Sequence, residues 1–94
     1  MKTKKNERIF EYHGRTFSVT VKPDGIGGLA VAFINEYIPT RKIFKWKYHD
    51  SINFWIDDYN TIEDGAKTML QKVLNKEQER ENYKNKWSEF ENNT

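Results

Sequence analysis

The sequence predicts an α+β fold: an antiparallel β-meander of four to five strands, packed on one face by a long C-terminal α-helix. Between residues 8 and 57, polar and apolar side chains largely alternate with a period of two, which is typical of half-buried strands. Segments containing Gly, Pro, Asn or Asp separate these runs and predict tight connections. After Tyr59 the apolar period changes to about 3.6 residues, which indicates a helix.

The first two predicted strands cover residues 8–12 and 15–22 and are joined by a two-residue turn that ends in Gly14. Such a turn requires positive φ, which glycine adopts at no steric cost. The turn fixes the cross-strand pairs, which are Phe10 with Phe17 and Tyr12 with Arg15. One face of this hairpin is therefore expected to be apolar, and it comprises Phe10, Tyr12, Phe17, Val19 and Val21.

Three further strands are predicted over residues 29–38, 41–48 and 52–57, with a three-residue loop between the last two. We expect the third strand to continue the apolar face through Leu29, Val31 and Phe33, placed opposite Val21, Val19 and Phe17. The three-residue loop directs the aromatic residues of the fourth strand inward, namely Phe44, Trp46 and Tyr48. A two-residue loop would pair them with polar residues, and we disfavour it because a one-residue slip turns the apolar set outward.

The C-terminal helix has clear start signals. Thr61 is the expected N-cap, and two acidic residues follow in the first turn, where the helix dipole favours negative charge. The apolar residues that should face the sheet are Ile62, Ala66, Met69, Leu70, Val73 and Leu74. Gly65 costs about 1 kcal/mol relative to Ala inside a helix. We therefore interpret it as a point of close approach to a strand.

The end of the chain is expected to be a polar helical extension with an aromatic stripe. We divide the chain into a flexible basic tail (1–7), the sheet with the first half of the helix (8–74) and this extension (75–94). The stripe consists of Tyr83, Trp87 and Phe90, spaced four and three residues apart. Because no Gly or Pro follows Gly65, we expect helix to about Phe90, extended beyond the sheet. The alternative is a bend near Asn75 that packs Trp87 on the outer sheet face, against Ile34, Ile43 and Trp55.

Length and composition indicate one small domain that is stabilised by packing. The chain has 94 residues and no cysteine, so neither disulfides nor thiolate metal sites contribute. Its net charge is +2, but residues 1–49 carry ten basic and four acidic residues, whereas residues 50–94 carry six and ten. This asymmetry suggests an anionic partner for the first half, or a basic sheet beside an acidic helix.

No targeting signal stands out in the sequence. The longest apolar run covers residues 29–34, which is too short to span a membrane, and no apolar segment follows the basic N-terminus. We expect a cytoplasmic protein with no membrane partner. The abundance of Lys, Asn, Glu and Ile is typical of low-GC bacteria and their phages, so a small bacterial or phage protein is expected.

The sequence gives no sign of an enzyme. His13 and His49 are separated, and neither has a catalytic relay or metal-ligand spacing around it. The glycine-rich stretch at residues 25–28 lacks the Lys-Ser/Thr and the helix that a phosphate-binding loop requires. We therefore expect a non-enzymatic protein without a cofactor or a bound metal.

The leading functional hypothesis is a small accessory or regulatory protein that binds nucleic acid through the outer sheet face. If the aromatic residues of the fourth strand point inward, its cations point outward, with Lys45 opposite Trp55 and Lys47 opposite Asn53. The predicted site comprises Arg41, Lys45, Lys47 and Trp55, above a floor of Ala30, Ala32 and Ile34. Cations would meet phosphates while the indole stacks on a base, and Lys2, Lys4 and Lys5 of the tail could add contacts.

Two alternatives stay open. Lysine on a solvated strand is ordinary and protects against aggregation, in which case Trp55 is merely covered by a lysine stem. The other function is a protein-binding module, such as a phage or mobile-element inhibitor or adaptor. It would act through Tyr83, Trp87 and Phe90 on a host protein, or form a homodimer through the helix.

Overall fold

A computed structural model describes residues 6–92 and shows a four-stranded antiparallel sheet with one long helix on one face. The strands follow one another in space as they do in sequence. The elements are β1 (Glu7–Tyr12), β2 (Arg15–Pro23), β3 (Leu29–Tyr37), β4 (Trp46–Trp55), a 3-10 helix (Ile56–Asp58) and α1 (Ile62–Asn92). The predicted α+β meander with a C-terminal helix is therefore confirmed, with four strands.

The β1–β2 hairpin forms as predicted. His13 and Gly14 adopt φ values of 50° and 77°, as a two-residue turn requires. Phe10 pairs with Phe17 and Tyr12 with Arg15. The face predicted to be apolar is the one that contacts the helix, because Phe17, Val19 and Val21 are buried while Phe10 and Tyr12 pack against them.

The prediction of two short strands in residues 41–57 is wrong, because the structure has a single strand there. Residues 38–45 form a loop after β3, and β4 then runs without a break from Trp46 to Trp55. The segment predicted as a loop, residues 49–51, lies inside β4 as a β-bulge, with Ile34 opposite Asp50 and Asn35 opposite Tyr48. A bulge adds one residue to a strand without ending it.

The predicted orientation of β3 is also wrong. Val21 pairs with Ala32 and Val19 with Ile34, three residues away from the predicted register. Ala30, Ala32 and Ile34 are consequently buried under the helix, whereas Phe33 points away from it. The supposed outer floor of the sheet is therefore part of its core, since successive side chains of a strand point to opposite faces.

The aromatic residues expected to point inward from residues 41–48 do not. Phe44 lies in the loop and is 80% exposed, and Tyr48 is largely exposed on the face opposite the helix. Trp46 is half-buried on that same face, beside Tyr37. In β4 the core is formed by Phe54, with Ile52 packed against it.

The helix begins and packs as predicted. The backbone N–H of Asp64 donates to Oγ1 of Thr61 at 3.1 Å, so Thr61 is the N-cap. The predicted stripe lies on the sheet, with four residues buried and two packed beside them: Ala66, Met69, Leu70, Val73, Ile62 and Leu74. Gly65 does mark a close approach, because a Cβ there would lie 3.0 Å from Cε2 of Phe54.

The helix continues well beyond the sheet, as expected for the extended alternative. Its 31 residues span about 46 Å, against about 30 Å for a nine-residue strand. Every residue from 78 to 92 is exposed, and we call this segment the overhang. The helix leaves the sheet at the end that carries the β1–β2 turn and the 38–45 loop. At this end Arg15 binds both Glu36 of β3 and Glu77 of α1, the residue just before the overhang.

Some predictions fall outside the described part of the chain. Lys2, Lys4 and Lys5 of the predicted basic tail are outside it, as are residues 93–94. Within the predicted tail, Glu7 already belongs to β1, and Asn6 exchanges hydrogen bonds with Val21. No helix in residues 6–92 combines the length and apolarity that crossing a membrane requires.

Candidate functional site

The sheet face that points away from α1 is rich in exposed aromatic side chains. We call this face the open face, and its aromatic residues on β3 and β4 are Phe33, Tyr37, Trp46, Tyr48 and Trp55. Phe33, Tyr48 and Trp55 are 36%, 59% and 57% exposed. In residues 6–92 the only α-helix packs on the opposite face, so these rings are accessible from solvent.

Local contacts set the geometry of these rings. The bulge at His49 keeps Tyr48 and Ser51 on the same face, and the Tyr48 hydroxyl donates to Oγ of Ser51 at 3.2 Å. The rings of Tyr37 and Trp46 pair across the strands with centroids 5.3 Å apart. The rings thus occupy two neighbouring strands, which gives a platform rather than one isolated aromatic residue.

Positive charges border the open face. Nζ of Lys22 lies 5.8 Å from the ring centroid of Phe33, so this cation belongs to the face itself. The loop of residues 38–45 adds Arg41, Lys42 and Lys45, all exposed, and contains no acidic residue. The loop is closed by a hydrogen bond from the Ile38 N–H to the Lys45 carbonyl at 2.6 Å.

The structure does not bring the four predicted nucleic-acid-binding residues together. Arg41 and Lys45 lie in the loop at one end of β4, whereas Trp55 is at the other end, about 30 Å away along the strand. Lys47 pairs with Glu36, whose carboxylate contacts α1 through Arg15, so Lys47 is on the helix side. The predicted pairs of Lys45 with Trp55 and Lys47 with Asn53 are wrong, because Trp55 pairs with Leu29 and Asn53 with Val31.

The sequence predicts the outward position of Trp55 but not those of its neighbours on the open face. The predicted registers place Phe33 in the core and Tyr48 on the inner side of a separate strand, whereas both are exposed on the open face. The position of Lys22 next to Val21 in an alternating strand is the signal that places its side chain outward. No signal in the sequence separates the 38–45 loop from the strand predicted over residues 41–48.

A charged cluster joins the helix to the sheet at the end opposite Trp55. Nε and Nη2 of Arg15 donate to the two carboxylate oxygens of Glu36, both at 2.9 Å. Nη1 and Nη2 of the same guanidinium donate to Glu77 on α1 at 2.9 and 3.2 Å. These hydrogen bonds hold the pKa of Glu36 and of Glu77 below the usual value and raise that of Arg15.

The surroundings of the charged cluster are compact. The Arg15 guanidinium lies 4.9 Å from the ring centroid of Phe17, and His49 contacts the same ring edge-on at 5.8 Å. Both histidine nitrogens lie 3.9 Å from a carboxylate, Nδ1 from Glu36 and Nε2 from Glu77. We interpret the charged cluster as a structural tie, because the carboxylates and the guanidinium are bound to one another.

Beside this cluster, a groove of about 710 Å³ separates the β1–β2 turn from α1. Its walls include the apolar side chains of Tyr12, Phe17 and Leu74 together with amides and charged groups. Within residues 6–92, no group of three His, Asp or Glu side chains is placed to hold a metal ion.

The predicted protein-interface residues lie on the overhang. Tyr83, Trp87 and Phe90 are 65%, 63% and 62% exposed, and the rings of Trp87 and Phe90 meet edge-on at 5.8 Å. The fold-back alternative, in which Trp87 covers the outer sheet face, is not what the structure shows. The overhang and the open face are thus two separate exposed aromatic surfaces.

Comparison with protein-family models, with curated proteins and with solved structures finds no match to this chain.

Proposed function

We propose that this protein binds single-stranded nucleic acid on the open face. The observation that carries the proposal is the aromatic platform itself, with Phe33, Tyr48 and Trp55 exposed on two neighbouring strands. Sheets of four strands that present aromatic rings to solvent are a common means of binding unpaired bases. Stacking of a base on such a ring contributes about 1–3 kcal/mol and tolerates any base.

The cations around the platform support a phosphate-bearing ligand. Lys22 lies beside Phe33 within the face, and the 38–45 loop supplies three more positive charges with no carboxylate among them. A strand laid along β4 would place bases on the rings and its phosphates near the loop. Arg41, Lys45 and Trp55 keep the roles proposed from the sequence, while Lys47 is left out because it lies on the helix side.

A single strand is favoured over a duplex because of the shape of the site. The rings of Tyr48 and Trp55 stand on a sheet face and can stack only on bases that are unpaired and splayed out. The sheet face is too broad to enter a groove of B-form DNA in the way a two-stranded ribbon does.

Fluorescence anisotropy with labelled single-stranded oligonucleotides tests the proposal directly. If about four cations contact phosphates, the logarithm of the affinity falls with the logarithm of the salt concentration with a slope of about −3. Raising salt from about 50 to about 200 mM then weakens binding about 60-fold. A duplex of the same length should bind more weakly, and tryptophan fluorescence should be quenched by the single strand.

Matched variants separate the platform from the remaining surface. Trp55→Ala and Tyr48→Ala should each weaken binding by about 5- to 100-fold, since each removes one stacking partner. Trp87→Ala removes an equally exposed indole from the overhang and should leave binding unchanged.

The same comparison can be made for charge. Lys22→Glu should weaken binding, whereas Lys47→Glu changes the net charge equally on the helix side and should have a much smaller effect. Absence of binding, or binding that is insensitive to salt and to Trp55→Ala, would refute the proposal.

A further inference from the structure

Where α1 leaves the sheet, the row that begins with the buried Met69 and Val73 continues into the overhang as a row of exposed residues. We call this row the seam, and it comprises Lys76, Arg80, Tyr83, Trp87 and Phe90. Successive members are alternately four and three residues apart, the spacing of the contact positions in a two-stranded coiled coil. From the N-terminal end, the seam consists of two cations followed by three aromatic residues.

The seam has few contacts within its own chain. Tyr83, Trp87 and Phe90 are each more than three-fifths exposed. Within residues 6–92 their one ring–ring contact is that between Trp87 and Phe90. Lys76 and Arg80 are exposed and take part in no salt bridge within residues 6–92. Three large rings on one exposed helical face are more than single scattered hydrophobic residues, and they indicate a contact surface.

We propose that the seam binds the seam of a second copy of this chain, with the two helices antiparallel. Turning the second copy end to end places its aromatic residues on the cations of the first. Arg80 then lies against Tyr83 of the second copy, and Lys76 lies against its Trp87. Both contacts are cation–π interactions, and two-fold symmetry makes each of them twice.

The charges beside the seam support this register. In it, Glu79 of each chain lies beside Lys86 of the second copy, and neither side chain has a salt-bridge partner within residues 6–92. A shift of one heptad would instead place Lys84 beside Lys84 and Lys86 beside Lys86. Flanking charges of this kind select the orientation and register of paired helices.

A parallel pair is disfavoured on two grounds. A parallel pair that aligns identical residues would place Arg80 against Arg80 and Lys76 against Lys76 at the centre of the contact. It would also bring both sheets to the same end of the helices, where each occupies space next to its own α1. In the antiparallel arrangement the two sheets lie at opposite ends.

The surface at the foot of the overhang can receive the second copy. A depression of about 180 Å³ lies there on the β4 side of α1, with Lys76, Arg80 and His49 among its lining residues. The proposed register brings Trp87 of the second copy to the level of Lys76, at this depression. Phe90 of the second copy comes to the level of Val73, which is already buried under the sheet, so the contact consists of the four Tyr83 and Trp87 rings. These rings would bury roughly 400–600 Å² between them, part of a standard interface.

The inference is independent of nucleic-acid binding, because the open face lies on the opposite side of the sheet. The experiment is sedimentation velocity or light scattering on the full chain over a range of concentrations. The expected result is a reversible dimer of twice the 11.3 kDa chain mass. Trp87→Ala should weaken the dimer about tenfold or more while the far-UV circular dichroism of the monomer is retained.

Charge exchange tests the register. Glu79→Lys or Lys86→Glu alone places like charges together twice per dimer and should weaken association about tenfold. The double variant Glu79→Lys/Lys86→Glu restores opposite charges in the antiparallel register and should recover most of the affinity. In a parallel pair, position 79 lies beside Lys84 of the second copy instead. In that arrangement the double variant would place two lysine side chains beside each other, and the affinity of the dimer would not recover.

The control is Gln78→Lys/Asn85→Glu, which changes charges on the far side of the helix and should not alter the dimer. A chain that stays monomeric at high micromolar concentration would overturn the proposal and leave the overhang to a different protein. A dimer that the double exchange fails to rescue would overturn it as well.

Discussion

At the scale of single residues, Gly65 shows how closely α1 approaches the sheet. A Cβ built at this position lies 3.0 Å from Cε2 and 3.4 Å from Cζ of Phe54, and 3.5 Å from Cδ2 of Tyr59. The two rings themselves meet edge-on at 5.6 Å, so Phe54 is held from both sides. The glycine is therefore kept for space, despite its cost of about 1 kcal/mol in helix propensity.

Replacing this glycine by a branched residue should destabilise the fold. Gly65→Val forces its methyl groups into the Phe54 ring, and overpacking of this kind costs about 1–3 kcal/mol. Lys67→Val is the control, since it introduces the same β-branched side chain at an exposed position of α1. It should lower the free energy of unfolding by less than about 1 kcal/mol. Urea unfolding measures both, and equal losses would show that the contact with Phe54 relaxes freely.

At the scale of elements, Arg15 ties β2, β3 and α1 together. Its hydrogen bonds lower the pKa of Glu36 and of Glu77 from the ordinary value of 4.5. A lowered pKa means that folding favours the ionised carboxylates. The resulting stabilisation is present above about pH 4.5 and is lost as the pH falls through the pKa of the folded state.

The free energy of unfolding should depend on pH in the direction that these lowered pKa values require. In the wild type it should decrease as the pH is lowered from about 5 toward about 3. Arg15→Met leaves two carboxylates facing each other, so its loss of about 1 kcal/mol at about pH 7 should shrink on acidification. Lys47→Met removes a nearby cation whose charge is the smallest of the causes that lower the pKa of Glu36, so it should change the pH dependence much less than Arg15→Met does. A pH-independent loss in Arg15→Met would assign the role of Arg15 to packing on Phe17.

The elements that were predicted correctly are those with a strong local signal. The β1–β2 turn contains Gly14, which fixes the register of its hairpin, and α1 has the Thr61 cap and a clear period of 3.6. The orientation of β3 could not be obtained in this way. Residues 29–34 are apolar at both odd and even positions, so alternation does not distinguish the two faces. Packing determines the orientation of β3, because the small side chains of Ala30 and Ala32 leave room for the helix.

The candidate site was only partly predictable for the same reason. The triplet His49-Asp50-Ser51 has the composition of a loop, but the bulge accommodates it inside β4. Because the predicted loop replaces the bulge, the sequence predicts Tyr48 inward and Lys47 outward, the reverse of what the structure shows. The outward position predicted for Trp55 is correct. The aromatic stripe of the overhang needed only helical spacing and the absence of a breaker, so its exposure was correctly expected.

At the scale of the whole molecule, the charge asymmetry of the sequence has a structural counterpart. Residues 6–49, with seven basic and four acidic residues, form most of the sheet and the 38–45 loop, and most of the acidic second half forms α1. Only Arg15 and Glu77 form a direct hydrogen-bonded ion pair between sheet and helix in residues 6–92. Lys22 of the sheet and the three cations of the 38–45 loop form no such ion pair with the helix, which fits an anionic ligand on the open face.

The two proposed surfaces should be separable by truncation. A chain that ends after Asn82 keeps Glu77 and the whole buried stripe but loses Tyr83, Trp87 and Phe90. Its monomer should retain the wild-type free energy of unfolding to within about 0.5 kcal/mol, because the removed residues are exposed. It should bind single strands as the full chain does and no longer dimerise. Loss of nucleic-acid binding on truncation would mean that the overhang contributes to that site, and the two surfaces would then act as one.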